Sequence, residues 1–293
     1  MKYLSILILY IQGILYSLFL LIIPKKKVIK ANSNGPSLIV SLTSYGRRVD
    51  QTVHLTLISL LFQSKKPDRI ILWLDKNAWR ESNLPNSLKR LLKYNIEIKY
   101  CDDIKSYKKL IPTLKEFPND IIITVDDDVV YKRRMIEKLY CSYLNAPNRI
   151  HCTVAHKPIL DNSGEVLPYR NWQHNILYPE KGIIFPVGVG GILYPPYTLH
   201  HDVLNRDLFL SLSPRADDIW FWCMALKAHS LHTLVDMRIS YYPIDLWYQF
   251  FHKEAALSND NLKEGNNDWQ LSNLLKYYNL NMSDFNFIND CSL

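Results

Sequence analysis

Apolar residues recur along the first half of this chain in alternating strand-like and helix-like runs. Residues 37–43 (SLIVSLT) form an apolar stretch of strand length. Residues 51–62 then set Val53, Leu57, Leu60 and Leu61 at helical spacing. Residues 70–74 (IILWL) predict a second strand that ends at Asp75. A helical pattern over 86–94 and an extended stretch over 96–100 follow. Residues 105–115 predict a helix that Pro112 should interrupt. Residues 121–125 give a fourth strand, after which Met135, Ile136, Leu139, Tyr140, Tyr143 and Leu144 make one helix face. This order predicts a mostly parallel sheet with helices on both sides. Ligands of such sheets gather beyond the carboxyl ends of the strands, which brings Thr43, Ser44, Tyr45, Asp75 and Asp126 to Asp128 to one edge.

The second half is less regular and rich in proline and aromatic residues. Residues 217–229 (DDIWFWCMALKAH) are apolar on nearly every side and predict a buried helix. Residues 267–278 predict a last helix, with Asn267 or Asp268 as its N-cap.

Residues 3–23 contain no charge, and Lys25, Lys26 and Lys27 follow Pro24. About 20 apolar residues suffice to cross a bilayer. A cleaved signal peptide would have a shorter apolar core and a small-residue cleavage site, and an interfacial or buried helix is a further possibility. The run is therefore expected to be an uncleaved membrane anchor. The lysines beyond it put the globular part on the cytoplasmic side by the positive-inside rule.

The formal net charge of +7 changes meaning beside that run. Residues 1–36 hold five lysines and no acid, so the rest of the chain carries only +2. The basic balance belongs to the N-terminal segment and makes no case for nucleic acid. Cysteines at 101, 141, 152, 223 and 291 show no CxxC spacing, so neither a disulfide framework nor a zinc site is legible.

Candidate chemistry centres on Val125-Asp126-Asp127-Asp128-Val129, which follows the β-branched run without a break. Clustered carboxylates repel one another and call for a positive partner. Mg²⁺ typically takes one or two carboxylates together with phosphate oxygens, so a divalent cation on a bound diphosphate fits.

An Asp-x-Asp at a strand end, in an α/β domain that opens with SLTSYGRR, resembles the GT-A nucleotide-sugar glycosyltransferases, family 2 in particular. The later segments GVGGILYPP and PRADDIWFW resemble a bacterial branch of these enzymes used in surface polysaccharide assembly. The resemblance spans roughly residues 37–275. It implies a GT-A fold, Mn²⁺ or Mg²⁺ as cofactor, a nucleotide-sugar donor and a saccharide or lipid-linked saccharide acceptor. It implies a nucleotide-sugar-binding half at 37–155 and an acceptor-binding half at 156–293, after an anchor at 1–24 and a basic linker at 25–36. By position, Asp126 matches the carboxylate near the donor ribose and Asp128 the metal ligand; Asp126 is also a candidate metal ligand, and Asp127 is a candidate for donor binding or for bonding nearby backbone. Asp218 matches the base that deprotonates the acceptor in an inverting transfer, and Asp217 the residue that orients it. Thr43, Ser44, Tyr45 and Asp75 sit where the family cradles the nucleoside. Arg47, Arg48 and Lys108 are candidates for phosphate contacts. His252 is placed to complete the metal shell. Gly188, Gly190 and Gly191 would let backbone approach a sugar, whereas His200 and His201 read as a loop pair.

Two other readings remain open at this point. Asp126-Asp127-Asp128-Val129-Val130 also satisfies the motif of haloacid dehalogenase-type phosphatases, with Asp126 as nucleophile, Asp128 as acid/base and Asp217-Asp218 holding Mg²⁺. That motif normally lies on the first strand, and here three strand-like segments precede it. A non-catalytic saccharide-binding protein could instead stack sugar rings on Trp172, Trp220, Trp222 and Trp247.

Overall fold

A computed structural model describes residues 2–28, 35–177, 183–236, 240–244 and 266–282. In chain order its strands are β1 (Leu38–Thr43), β2 (Arg69–Asp75), β3 (Glu97–Cys101), β4 (Ile121–Thr124), β5 (Val129–Tyr131) and β6 (Ile150–Cys152). Then come β7 (Ala155–His156), β8 (Phe185–Pro186), β9 (Ile192–Tyr194), β10 (His232–Leu234) and β11 (Tyr241–Pro243). The helices are α1 (Lys2–Ile22), α2 (Arg48–Gln51), α3 (Val53–Leu61), α4 (Asn86–Lys89) and α5 (Ile111–Glu116). They continue with α6 (Met135–Asn145), α7 (Arg206–Leu212), α8 (Asp217–Lys227) and α9 (Asn266–Tyr278).

The main sheet has the order β10-β6-β9-β4-β1-β2-β3. Strands β4, β1, β2 and β3 run parallel, with Val40 facing Ile70 on one side and Ile123 on the other. Strand β9 lies antiparallel between β4 and β6, so strands from both halves of the chain share one sheet. Both faces are covered. Alternate residues of β4 serve opposite cores: Ile122 packs on the side of α8, while Ile121 and Ile123 pack on the side of α3. That two-sided burial explains why the strands read as continuous apolar runs. The result is a mixed α/β fold with a mostly parallel central sheet and flanking helices.

Three expectations need correction. Pro112 does not break a helix, because it sits in the first turn of α5, where no helical N–H is needed. The interruption falls before it, between the 3₁₀ turn Lys105–Lys109 and α5. The pattern over 86–94 divides into α4 and a 3₁₀ turn at Leu92–Tyr94.

The third correction concerns the membrane. Among the described residues no helix is long and apolar enough to cross a membrane, which overturns the expected anchor and the orientation drawn from it. Helix α1 instead lies against the domain. Leu20 is buried, the Tyr16 ring meets Tyr242 at 5.6 Å, and Phe19 meets Phe62 edge-on at 5.9 Å. Gly13 permits this approach: a Cβ there would come within 2.4 Å of the Pro243 carbonyl oxygen. The opposite face leaves Ile11, Leu15 and Leu18 exposed. An uncharged run in sequence does not distinguish a surface turned to lipid from one turned to its own protein.

Candidate functional site

The acidic run leaves β4 at the carboxyl edge of the sheet, beside the end of β1. The buried Asp127 carboxylate accepts from Ser44 Oγ at 2.5 Å and from Arg48 Nη1 at 3.0 Å. Arg48 also reaches Asp128 Oδ2 through Nη2 at 3.1 Å. Gly46, at φ +52°, supplies the left-handed turn that swings the chain from Ser44 into α2 and so brings Arg48 back over the acids. Burial pushes the Asp127 carboxyl up, against the opposing pull of Arg48 and Ser44. Burial likewise works against the Arg48 charge, but Asp128 and Asp127 outweigh it and hold the guanidinium ionised. Tyr45 is 44% exposed and lies under that guanidinium, 5.3 Å from its carbon. Thr43 Oγ1 donates to the Trp73 carbonyl at 2.9 Å. Asp75 ends the neighbouring strand and accepts from the Asn77 N–H at 2.9 Å.

A second group of acids closes on the first. Asp217 and Asp218 form the first turn of α8. Gln270 of α9 steadies that start by accepting from the Arg215 N–H at 2.8 Å, and Ser213 Oγ donates to the Ala216 carbonyl at 2.9 Å. Between the two groups lies Lys109, its side chain 7% exposed. Its ammonium is 2.9 Å from Asp217 Oδ2, a contact outside hydrogen-bond geometry. It lies 3.3 Å from Asp126 Oδ1 and 3.4 Å from Asp218 Oδ1. The Gly188 N–H donates to Asp218 Oδ2 at 2.9 Å. The Tyr131 hydroxyl accepts from the Asp126 N–H at 2.9 Å and donates to the Val189 carbonyl at 3.0 Å, tying the glycine loop to the acidic run.

These surroundings set the acid–base chemistry. Burial pushes the Asp218 carboxyl up to about 6, with Lys109 opposing and Asp217 and Asp126 adding to the rise. Asp218 is thus ionised at neutral pH yet close enough to its titration to accept a proton usefully. Its side chain remains 24% exposed, and those of Asp126 and Asp128 32% and 22%.

The structure brings Ser44, Tyr45, Asp126, Asp127, Asp128, Asp217 and Asp218 together around two cations, Arg48 and Lys109. It does not bring Lys108 there. That lysine is buried and paired with Asp103, because consecutive residues of a 3₁₀ turn point to different sides. Lys109 takes the place expected of Lys108, and the sequence signal was present only as a pair of adjacent lysines. Asp127 bonds side chains rather than the backbone expected of it. Trp172, Trp220 and Trp222 are 4%, 0% and 2% exposed, so they belong to the core and offer no platform to a sugar. His252 and Trp247 lie outside the described residues. His200, His201 and Asp202, read as a plain loop pair and its neighbour, gather potential ligand atoms within 4.8 Å.

The donor set around Asp126 and Asp128 fits a hard divalent cation. Both carboxylates are partly open to solvent, and such an ion completes its shell with water and phosphate oxygens. The five carboxylates outnumber Arg48 and Lys109, so this edge carries excess negative charge and would repel a bare diphosphate.

No family model matches the chain, and no curated protein matches it. Among solved structures it is similar to a CMP:2-keto-3-deoxy-manno-octonic acid synthetase complexed with CTP, with 14% sequence identity over 77% of this chain and 100% of that one. The TM-score is 0.42, a likeness too distant to carry any argument about the reaction.

Proposed function

We propose that the protein is a glycosyltransferase of the GT-A type that uses a nucleotide-sugar donor, a divalent cation and a saccharide or lipid-linked saccharide acceptor, as in surface polysaccharide assembly. One observation carries this reading. Carboxylates from the end of β4 and from the start of α8 converge at the carboxyl edge of a parallel sheet, with one carboxylate poised near neutral titration.

In this reading Asp126 and Asp128 would hold Mn²⁺ or Mg²⁺, which would supply positive charge against the departing diphosphate. Asp127 is committed to Ser44 and Arg48, and so fixes the run that carries the two ligands. Thr43, Ser44, Tyr45 and Asp75 line the edge where the nucleoside would lie, with the exposed Tyr45 ring available for stacking on its base. Asp218 removes the proton of the acceptor hydroxyl. That oxygen bonds to the anomeric carbon as the carbon–oxygen bond to the diphosphate breaks, and the electron pair leaves on the diphosphate. Asp217 orients the acceptor, and attack opposite the leaving group inverts the anomeric centre.

The phosphatase reading is less well supported. Its motif follows the fourth strand here rather than the first.

A thermal-shift panel on the full chain tests the proposal, using UDP-glucose, UDP-N-acetylglucosamine, GDP-mannose and dTDP-rhamnose with and without Mn²⁺. A ligand present at about 100 times its Kd should stabilise the fold by about 2.7 kcal/mol. Asp128→Ala should lose the Mn²⁺-dependent part of the shift. Full retention of that part would remove the metal assignment.

A further inference from the structure

We propose that Lys109 is a positioning residue that pins the carboxylates of Asp217 and Asp218 to that of Asp126, and that position 188 is glycine to make room for it. The proposal rests on reading Asp218 as the base, and it adds a residue and a loop that the Asp-x-Asp pattern does not contain.

The geometry argues for a fixed tie rather than a ligand of substrate. Lys109 is 5% exposed, and its ammonium faces three carboxylates at 2.9, 3.3 and 3.4 Å. A buried ammonium is costly unless paired, and these carboxylates are its pairing. Two of its N–H groups are given to Asp126 and Asp218, and its charge also faces Asp217 at 2.9 Å. The three acids come from two separate elements, the end of β4 and the start of α8, so the contact joins the donor side of the site to the acceptor side.

Gly188 supplies the third wall. Its N–H donates to Asp218 Oδ2, while a Cβ there would lie 2.7 Å from Lys109 Nζ and 2.9 Å from Asp218 Oδ1. The backbone itself does not demand glycine at this position. Among the described residues the glycines at positive φ are Gly46, Gly164 and Gly191, and Gly188 is not one of them. A side chain there would therefore have to push the Lys109 ammonium or the Asp218 carboxylate out of place. The loop that looked suited to a sugar approaches the base and its counter-ion instead.

Lys109→Met, Gly188→Ala and their double variant test this. Two readouts are taken with the nucleotide sugar that gives the largest Mn²⁺-dependent shift. One is that thermal shift; the other is release of nucleoside diphosphate with water as acceptor, resolved into kcat and KM. A displacement of the base by about 1 Å can cost about 100-fold in rate. Each single variant should keep KM within about 3-fold and lose about 10- to 100-fold in kcat. The double variant should be no worse than the worse single one, because both remove the same hold on Asp218. A raised KM with kcat preserved would make Lys109 a donor ligand and overturn the proposal. Unchanged kcat, or losses that multiply in the double variant, would overturn it too. If Lys109→Met fails to fold, Lys109→Met with Asp217→Asn removes one charge of each sign and is judged by the same criteria. Asp218→Asn at the wild-type rate would remove the base reading itself, an outcome distinct from any failure of Lys109.

Discussion

Replacing Asp218 by asparagine should stabilise this protein while silencing it. The folded carboxyl titrates near 6 instead of its ordinary 3.8, chiefly because it is buried. About two pKa units correspond to about 3 kcal/mol. The direction follows from proton uptake. Between about pH 4 and pH 6 the folded protein holds a proton that the unfolded chain has released, so stability from this group falls as pH rises through that window and is level above it. Asparagine keeps the shape without the charge; its carbonyl oxygen can still accept from the Gly188 N–H, while its NH2 faces the Lys109 ammonium, a donor against a donor that offsets part of the gain. Lys109 retains Asp126 and Asp217 as partners, and the side chain is 24% exposed, so a gain of about 1–3 kcal/mol is expected near pH 8. Near pH 4.5 the gain should shrink toward zero. In a domain of this size each kcal/mol moves Tm by about 2–4 °C, so the variant should melt about 2–12 °C higher at the alkaline end. Calorimetric melts in EDTA across that pH range measure it directly. A gain that is the same at both ends, or a loss throughout, would refute the electrostatic account of Asp218.

Other consequences follow from the same geometry. Turnover of the wild type should rise with pH as Asp218 gives up its proton, as a pH–rate profile would record, because the base works only when ionised. Lys108→Ala should lower stability by about 1–3 kcal/mol in urea melts and leave the Mn²⁺-dependent part of the nucleotide-sugar shift intact, since this lysine pairs with Asp103 rather than with Asp126 or Asp128. Gly191→Ala should cost at least about 1 kcal/mol, because φ is +93° and a Cβ would lie 3.1 Å from Met135 Sδ. Trp220→Ala should cost about 3–5 kcal/mol, as its fully buried ring also donates to the Val203 carbonyl.

The strands were legible because burial on both faces leaves little besides β-branched and aliphatic residues in them, as in Ile121-Ile122-Ile123. The acidic run and the acidic helix start were legible for the opposite reason, since charge at the end of an apolar element stands out. What stayed hidden depends on side-chain direction. Lys108 and Lys109 are indistinguishable in sequence, yet one turns to Asp103 and the other to three site carboxylates. Gly188 could be read as room for a ligand, but in the fold the Lys109 ammonium occupies that room. The N-terminal run failed for a related reason, because its apolar surface packs on the domain through Tyr16, Phe19 and Leu20. Antiparallel β9 was also missed: three residues between a glycine loop and two prolines are too few to show a period.

The central claim is that Asp126 and Asp128 hold a divalent cation against a donor diphosphate. Its most direct test is an anomalous difference map from crystals grown with Mn²⁺ and the nucleoside diphosphate of the preferred donor. The account predicts a peak at bonding distance from carboxylate oxygens of both Asp126 and Asp128, with diphosphate oxygens completing its shell. Manganese found only at His200, His201 and Asp202, with the diphosphate bound elsewhere, would contradict it.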